Sequence, residues 1–510
     1  MFSGKFKFFL AIFGAILFWS LATPLFEFPD EQAHVGTVNF LVQEGRSPRG
    51  QELDMTEEMN LTQQYLGVLR DGLGHNQLTY HPEFRLDFTD SLRGKYEADI
   101  IALNTSQSRS LYVGQEAAHY PRLYYDYLSV WYRVVGSSDI ITRIFVLRIG
   151  NSLIAVLTAI IVYRLGVILF ASTQSAIVLT LLVMLQPMYS FLSAGINSDN
   201  LHNLIFAMVI YLGLRLVRSG PTLRLGAISV LVAALDILTK PQGYLAIPVI
   251  ILALLVHIVA HKKWRLLLSF AVMALIGLAV IFGPGNRYKG WLMSSNIHGA
   301  SVVEYLRFSL NQLVAQNIVW YWGVFKWLGV VLPSVYWQVA NRLVLLSVAG
   351  LALYLSKVIR RIKVITPWPN VIFLLLASLV YASAIYYFDY QYVKSVGYSI
   401  GVQARYLFPT IASHMALLLI GILSLSRRGK VRTWLLRGVT VFIIWMQLGG
   451  LWRLLSSYYD LSSFTAFITQ ISQYKPFFAK GDFWYLWIIV YAISLCFLLY
   501  SAFKIQRKSS

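Results

Sequence analysis

The sequence predicts an all-α polytopic membrane protein with about twelve transmembrane helices and a large first extracytoplasmic loop that carries juxtamembrane helices. Three observations predict it. Of 510 residues, 57% are hydrophobic and only 13% charged, and the mean hydropathy is +0.60. The apolar residues gather in separate runs of roughly 17–22, each long enough to cross a bilayer. The basic residues sit in short clusters between those runs, as the orientation rule for membrane proteins requires. That clustering accounts for the net charge of +20 and leaves no basic stripe for nucleic acid. The single cysteine, Cys496, falls in the last apolar run, which excludes an intrachain disulfide and a cysteine metal site.

The clusters are Lys5/Lys7, Arg164, Arg215 to Arg224, Lys262 to Arg265, Lys357 to Lys363, Arg427 to Arg437 and Lys504 to Lys508. If all are cytoplasmic, the spans fall near 6–24, 141–163, 174–193, 199–216, 223–240, 243–260, 266–283, 341–356, 369–388, 405–425, 434–455 and 484–503. Both ends then lie inside, and 6–24 reads as a retained span, being long for the core of a cleaved signal peptide. Of the 23 acidic residues, fifteen lie between Glu27 and Glu116, and seven of the other eight, all but Asp236, fall on the outer side or at its interface. The stretch 121–136 is apolar enough for a further span, but counting it would put Asp199 inside and the arginines of 215–224 outside. Its Tyr, Trp and Arg content places it as a helix on the outer surface.

Residues 27–120 form the largest non-apolar block, too long for a simple connection and expected to carry short helices. A second outer loop, 284–340, contains WYWGVFKWLGVVLP (320–333), read as re-entrant or interfacial, and a third, 457–483, is short and aromatic. The chain divides into a transmembrane module over 1–283 that includes the extracytoplasmic loop 27–140, the aromatic loop 284–340, and a second transmembrane module over 341–510. No repeat of fixed period is present.

Six motifs recur in a fixed order: FPDEQAH (28–34), HYPRLYY (119–125), INSDNLHN (196–203), LTKPQG (238–243), YWGVFKWLGVVLP (321–333) and QARYLFP (403–409). In these motifs the chain resembles a bacterial family of uncharacterised polytopic membrane proteins, placed in the GT-C superfamily of glycosyltransferases that use polyprenyl-phosphate-linked sugars. The resemblance covers about residues 6–425. It implies a GT-C-like fold, a catalytic aspartate in an acidic first outer loop, a second outer acid after the third span, and basic groups for the lipid phosphate. Arg122 stands where many related sequences have a second proline, which adds a candidate phosphate contact beside Tyr124.

Moving a sugar from a polyprenyl phosphate to a hydroxyl needs a base near the acceptor and positive charge on the departing phosphate, at the depth of lipid head groups. Asp30 is the candidate base, with Glu31 as the neighbouring carboxylate that raises its basicity. The competing reading is an N-terminal helix cap, and it applies to Asp199 as well. Asp30 and Asp199 on one face leave open a divalent cation, Mg or Mn, with no cofactor otherwise indicated. His34 and His119 are candidate contacts, against a structural reading in which each is simply hydrogen-bonded. Lys240 and Arg405, at outer span boundaries, are the leading phosphate ligands, and the alternative is snorkelling. Tyr406 follows Arg405 in the same motif. Arg148, on the second span, offers a further cation or neutralises a carboxylate. Asp236, four residues before Lys240, is expected to be its i,i+4 partner. Most of the tryptophans read as an interfacial belt.

The resulting expectation is an inverting glycosyltransferase of the plasma (inner) membrane, its site on the extracytoplasmic side. It would take a polyprenyl-phosphate sugar donor, with membrane lipid around it, and pass the sugar to a polysaccharide, lipid or protein. The other class is a transporter or flippase of lipid-linked glycans, which calls for polar groups at the midplane and repeated halves.

Overall fold

The computed structural model describes residues 4–48, 52, 55–68, 91–103, 108–111, 117, 120–286, 288–326 and 328–504. The first helix, α1 (Gly4–Ala22), ends just before Pro24, which has no N–H to offer the carbonyl of Ser20. Four short helices follow in the predicted outer loop: α2 (Glu31–Glu44), α3 (Glu57–Leu66), α4 (Ser91–Ala102) and α5 (Leu123–Val134). A small antiparallel pair, β1 (Met55–Thr56) and β2 (Arg109–Leu111), ties this loop together. The helix α5 has 12 residues and buries Tyr124, Tyr125, Leu128 and Tyr132 along one face, with Val130, Arg133 and Val134 exposed. It packs on α2 and on α6 (Ile140–Phe170), so the stretch 121–136 is a helix too short to cross a membrane.

The Asp139 carboxylate caps α6 by accepting from the Thr142 N–H at 2.9 Å. Beyond it, α7 (Thr173–Met184) and α8 (Pro187–Ala194) meet at 68°. Next come α9 (Asp199–Ser219), α10 (Leu223–Ile237), α11 (Ala246–His261) and α12 (Leu267–Phe282), with a 3₁₀ turn over Pro241–Leu245 leading into α11. The short α13 (Lys289–Leu292), α14 (Val302–Gln312) and α15 (Ile318–Trp320) lead to a hairpin of β3 (Val324–Phe325) and β4 (Val330–Val331). The chain closes with α16 (Ser334–Ile359), α17 (Trp368–Val396), a 3₁₀ turn over Ala404–Thr410, α18 (Ile411–Ser424), α19 (Gly429–Tyr458), α20 (Phe464–Ile471) and α21 (Phe483–Phe503).

Among the described residues, ten helices are long and apolar enough to span a membrane, and the bent α7–α8 pair makes an eleventh. Eleven of the twelve predicted spans each coincide with one helix, and the twelfth, 174–193, coincides with the bent α7–α8 pair. The one that falls short is α10, whose 15 residues reach about 22 Å against a hydrocarbon core of roughly 30 Å. Only Gly277 of α12 is buried, so that helix faces lipid almost all round.

The aromatic stretch 320–333, expected to be re-entrant or interfacial, forms a hairpin driven into the bundle, turning through Lys326 and Leu328 at φ 51° and 66°. Its Phe325 ring packs 5.6 Å from Trp19 and 5.3 Å from Phe191, and Trp322 is buried as well. Consecutive residues of β3, Val324 and Phe325, are both buried, so both faces of that strand are covered, which an interfacial belt would leave in contact with lipid head groups. Elsewhere the helices approach through glycine: a Cβ added to Gly350 on α16 would lie 2.0 Å from the Gly421 carbonyl oxygen on α18.

Candidate active site

The loop between α1 and α2 is fixed from beneath by one side chain. Arg148, 0% exposed on α6, spends every guanidinium donor on it. Its Nε and Nη2 grip the two Glu31 carboxylate oxygens at 2.7 and 2.6 Å. Nη1 donates to the carbonyls of Ser20 and Thr23, and Nη2 also to that of Pro24. The Phe26 N–H donates to Glu31 as well, at 3.0 Å. Glu31 is therefore an anchor with both oxygens engaged, which corrects the expectation that it tunes Asp30. The partner foreseen for Arg148, a carboxylate to neutralise, is this one.

The anchored loop delivers Asp30 in the left-handed region, at φ 61° and ψ 11°, a conformation that aspartate tolerates better than most residues. Asp30 occupies the N-cap position of α2, yet its side chain makes no capping hydrogen bond. The Arg405 guanidinium, 375 residues away in sequence, donates to it instead at 3.0 Å. A second acid–base pair lies beside the first. Asp199 opens α9, and its carboxylate accepts from the Lys240 ammonium.

Lys240 reaches Asp199 because the chain has left helical geometry. It is extended at φ −154° and ψ 152°, with α10 already ended at Ile237. The i,i+4 pairing predicted for Asp236 and Lys240 therefore does not form. Asp236 pairs with His202 Nδ1 at 2.6 Å, and His202 Nε2 meets the Tyr381 hydroxyl at 3.0 Å. This buried chain on α9, α10 and α17 lies one helical turn below Asp199.

His34 completes the cluster from α2. Its Nδ1 shares a hydrogen bond with the Tyr125 hydroxyl at 2.9 Å, and its ring stacks between Tyr120 and Tyr125. Burial pushes the imidazole down to about 4, so it is neutral at pH 7. The Lys240 ammonium lies 5.2 Å from the Tyr120 ring, and Arg405 lies 5.4 Å from the Tyr406 ring. The structure thus brings together Asp30, His34, Asp199, Lys240, Arg405 and Tyr406. It does not bring in Arg122, which is exposed and paired with Asp126 at 2.9 Å, because the side chain at the first turn of α5 points to solvent. Tyr124 is buried with its hydroxyl donating to Asn151 at 2.9 Å, a packing role against His34. His119 lies outside the described residues.

Polar atoms without partners collect in the same three motifs. Arg405 is 6% exposed, and among the described residues its Nε and Nη1 have no hydrogen-bond partner. Both amide atoms of Gln32, and the side-chain oxygens of Gln242 and Gln403, are likewise buried with no partner among the described residues. These glutamines stand two residues from Asp30, Lys240 and Arg405. Orphaned donors and acceptors at this density carry a cost that a polar ligand would remove.

Asp30 and Asp199, the two carboxylates a shared cation would need, each face a basic side chain. Among the described residues no three His, Cys, Asp or Glu side chains are grouped to hold a metal ion. The described donors do not by themselves fit a cation.

Sequence reasoning missed a second buried group behind the anchor. Glu27 accepts from the Tyr458 hydroxyl at 2.8 Å, and Lys326 of the hairpin lies 5.2 Å from the Tyr458 ring. Burial pushes Glu27 up to about 7. Lys475 donates to the Thr23 carbonyl at 3.1 Å, and burial drives its ammonium well below the usual lysine range.

No curated protein matches the chain. Among solved structures, the crystal structure of ArnT from Cupriavidus metallidurans bound to undecaprenyl phosphate is similar at a TM-score of 0.43 and 12% identity, over 99% of this chain and 77% of that one. The apo crystal structure of the same protein is similar at 0.43 and 14%, over 98% and 76%. A family model described as predicted membrane protein, DUF2142, matches residues 13–414 of the 510, and the chain belongs to the DUF2142 family.

Proposed function

We propose that the protein is a membrane glycosyltransferase that moves a sugar from a polyprenyl-phosphate donor to an extracytoplasmic acceptor. One observation carries this reading: Arg405 holds Asp30 through one nitrogen while its other two stand buried with no partner among the described residues. A phosphate is the ligand that planar, forked donors fit, and Lys240 adds a second positive charge nearby. Ala404 and Leu407, in the same 3₁₀ turn as Arg405, line an apolar cavity of about 540 Å³ between α16 and α18. Phosphate donors and an apolar cavity contributed by one turn are features a lipid phosphate needs.

The chemistry follows from these positions. The acceptor hydroxyl oxygen attacks the anomeric carbon, and its proton passes to Asp30. The bond from that carbon to the phosphate oxygen breaks, and the electron pair leaves with the phosphate, where Arg405 and Lys240 take up the charge. A single displacement inverts the anomeric centre. Neutral His34, with one nitrogen on Tyr125, and the unpaired Gln32, Gln242 and Gln403 are suited to sugar hydroxyls. The transporter reading has less support, since Asp236 and His202 lie within one turn of the Asp199 end of their helices rather than at mid-span.

The test is equilibrium binding of undecaprenyl phosphate to the purified protein. Arg405→Ala is expected to weaken binding by about 10- to 100-fold, the worth of one or two charge-assisted hydrogen bonds, while leaving the circular dichroism spectrum unchanged. Unaltered affinity in that variant would remove the phosphate site from Arg405 and the proposal with it.

A further inference from the structure

At the end of the bundle opposite Asp30, a second cavity opens between α1, α6, α7 and α21. It has a volume of about 600 Å³, within the range of small-molecule sites, and its lining includes Lys5, Phe8, Tyr163, Gln174, Tyr500 and Lys504. The walls are braced: Gln174 Nε2, at the start of α7, donates to the Ala502 carbonyl at the end of α21 at 2.9 Å. The cavity is therefore a fixed feature of the packing between the first and last spans.

Two ammonium groups stand at its rim. Lys5 Nζ lies 5.6 Å from the Tyr163 ring and Lys504 Nζ 5.7 Å from the Tyr500 ring. Neither has a carboxylate partner among the described residues. The sequence explains why: residues 1–26, 140–198 and 483–510 contain no aspartate or glutamate. The described parts of the elements that build the cavity therefore carry no aspartate or glutamate to pair with the two lysines. The wall is mainly aromatic and aliphatic, with Gln174 and Ser501 among its polar members, and α1, α6 and α21 are long and apolar enough to cross a membrane.

We propose that this cavity binds the head group of an anionic phospholipid in the leaflet at the basic end of the bundle. The phosphate sits between Lys5 and Lys504, and the glycerol and upper acyl chains lie against Phe8 and Tyr163. Basic pockets between transmembrane helices recognise anionic lipid heads in this way, each lysine contributing a modest share. The site is separate from the Asp30 cluster and does not depend on the reaction proposed there.

Native mass spectrometry of the detergent-purified full-length protein, titrated with phosphatidylglycerol or phosphatidylcholine, tests it. Phosphatidylglycerol is expected to bind more tightly than phosphatidylcholine. Lys5→Gln with Lys504→Gln is expected to weaken it by about 25-fold, roughly fivefold for each lysine. Thr173→Trp, which fills the cavity and keeps both charges, weakens it too. Lys262→Gln with Lys263→Gln, at a basic turn outside the cavity, leaves it unchanged. Equal binding of the two lipids, or equal loss in both lysine pairs, overturns the proposal in favour of diffuse surface charge.

Discussion

Replacing Arg148 separates two roles that a buried ion pair could play. As an ion partner alone it would only neutralise Glu31, and exchanging both residues for apolar ones of similar size would be close to neutral. As a clamp it also holds three backbone carbonyls, and these remain when the pair is gone. The Thr23 carbonyl keeps Lys475 as a second donor. Among the described residues Ser20 and Pro24 have none: the N–H that would serve the Ser20 carbonyl in a continuing helix is missing, because position 24 is proline. Arg148→Met is therefore expected to cost about 3–5 kcal/mol for the unpaired Glu31 and about 1–3 kcal/mol for each orphaned carbonyl. In the double variant Arg148→Met, Glu31→Leu the two carbonyls and the Phe26 N–H, which loses Glu31, are left without these partners, and a loss of about 3–9 kcal/mol persists. Unfolding of the purified protein in an SDS titration, followed by circular dichroism, ranks wild type, both single variants and the double variant in one series. Recovery of wild-type stability in the double variant would refute the clamp and reduce Arg148 to a counter-ion.

Asp30→Asn is expected to lower sugar transfer by about 10²–10⁴-fold, the usual worth of a general base, with folding intact; labelled donor consumption in membranes measures it. Glu27 and His34 give opposite pH limbs. Held near 7 against an ordinary 4.5, Glu27 binds its proton more tightly in the folded state, so stability falls as pH rises from 4.5 to 7. Held near 4 against 6.5, His34 resists its proton, so stability is lost as pH falls from 6.5 to 4. Each limb is worth about 3 kcal/mol. Glu27→Gln should unmask the acid-side loss, and His34→Gln the loss toward neutral pH, in unfolding midpoints measured from pH 4 to 8. Gly350→Ala is expected to force α16 away from α18 at a cost of about 1–3 kcal/mol, read as a lower unfolding temperature.

The helices were legible because hydropathy acts through composition, and composition is written locally. Charge clusters placed the boundaries of α1, α9 and α21 within a few residues, and α5 was kept out of the membrane by the charges that follow it rather than by its own sequence. The hairpin at 323–332 was not legible. Its strands are two residues long, too short for any alternation to register, and its aromatic content is shared by an interfacial belt and a packed wedge. Burial against Trp19 and Phe191 decides between them, and those partners come from α1 and α8.

For the site, residue type and boundary position singled out Asp30, Asp199, Lys240 and Arg405, but not who pairs with whom. The nearest acid to Lys240 in sequence is Asp236, and helical spacing makes that pair look natural. It fails because Pro241 disfavours helical geometry at Lys240, leaving it extended, so the i,i+4 rule no longer applies at the residue where it was used. The LTKPQG motif therefore carried its own warning, in the proline immediately after the lysine. Once Lys240 is released from α10 it reaches Asp199, Asp236 turns to His202, and Arg405 pairs with Asp30. The arrangement of the candidate site thus hangs on where one helix stops, which is the feature that sequence periodicity reads least well.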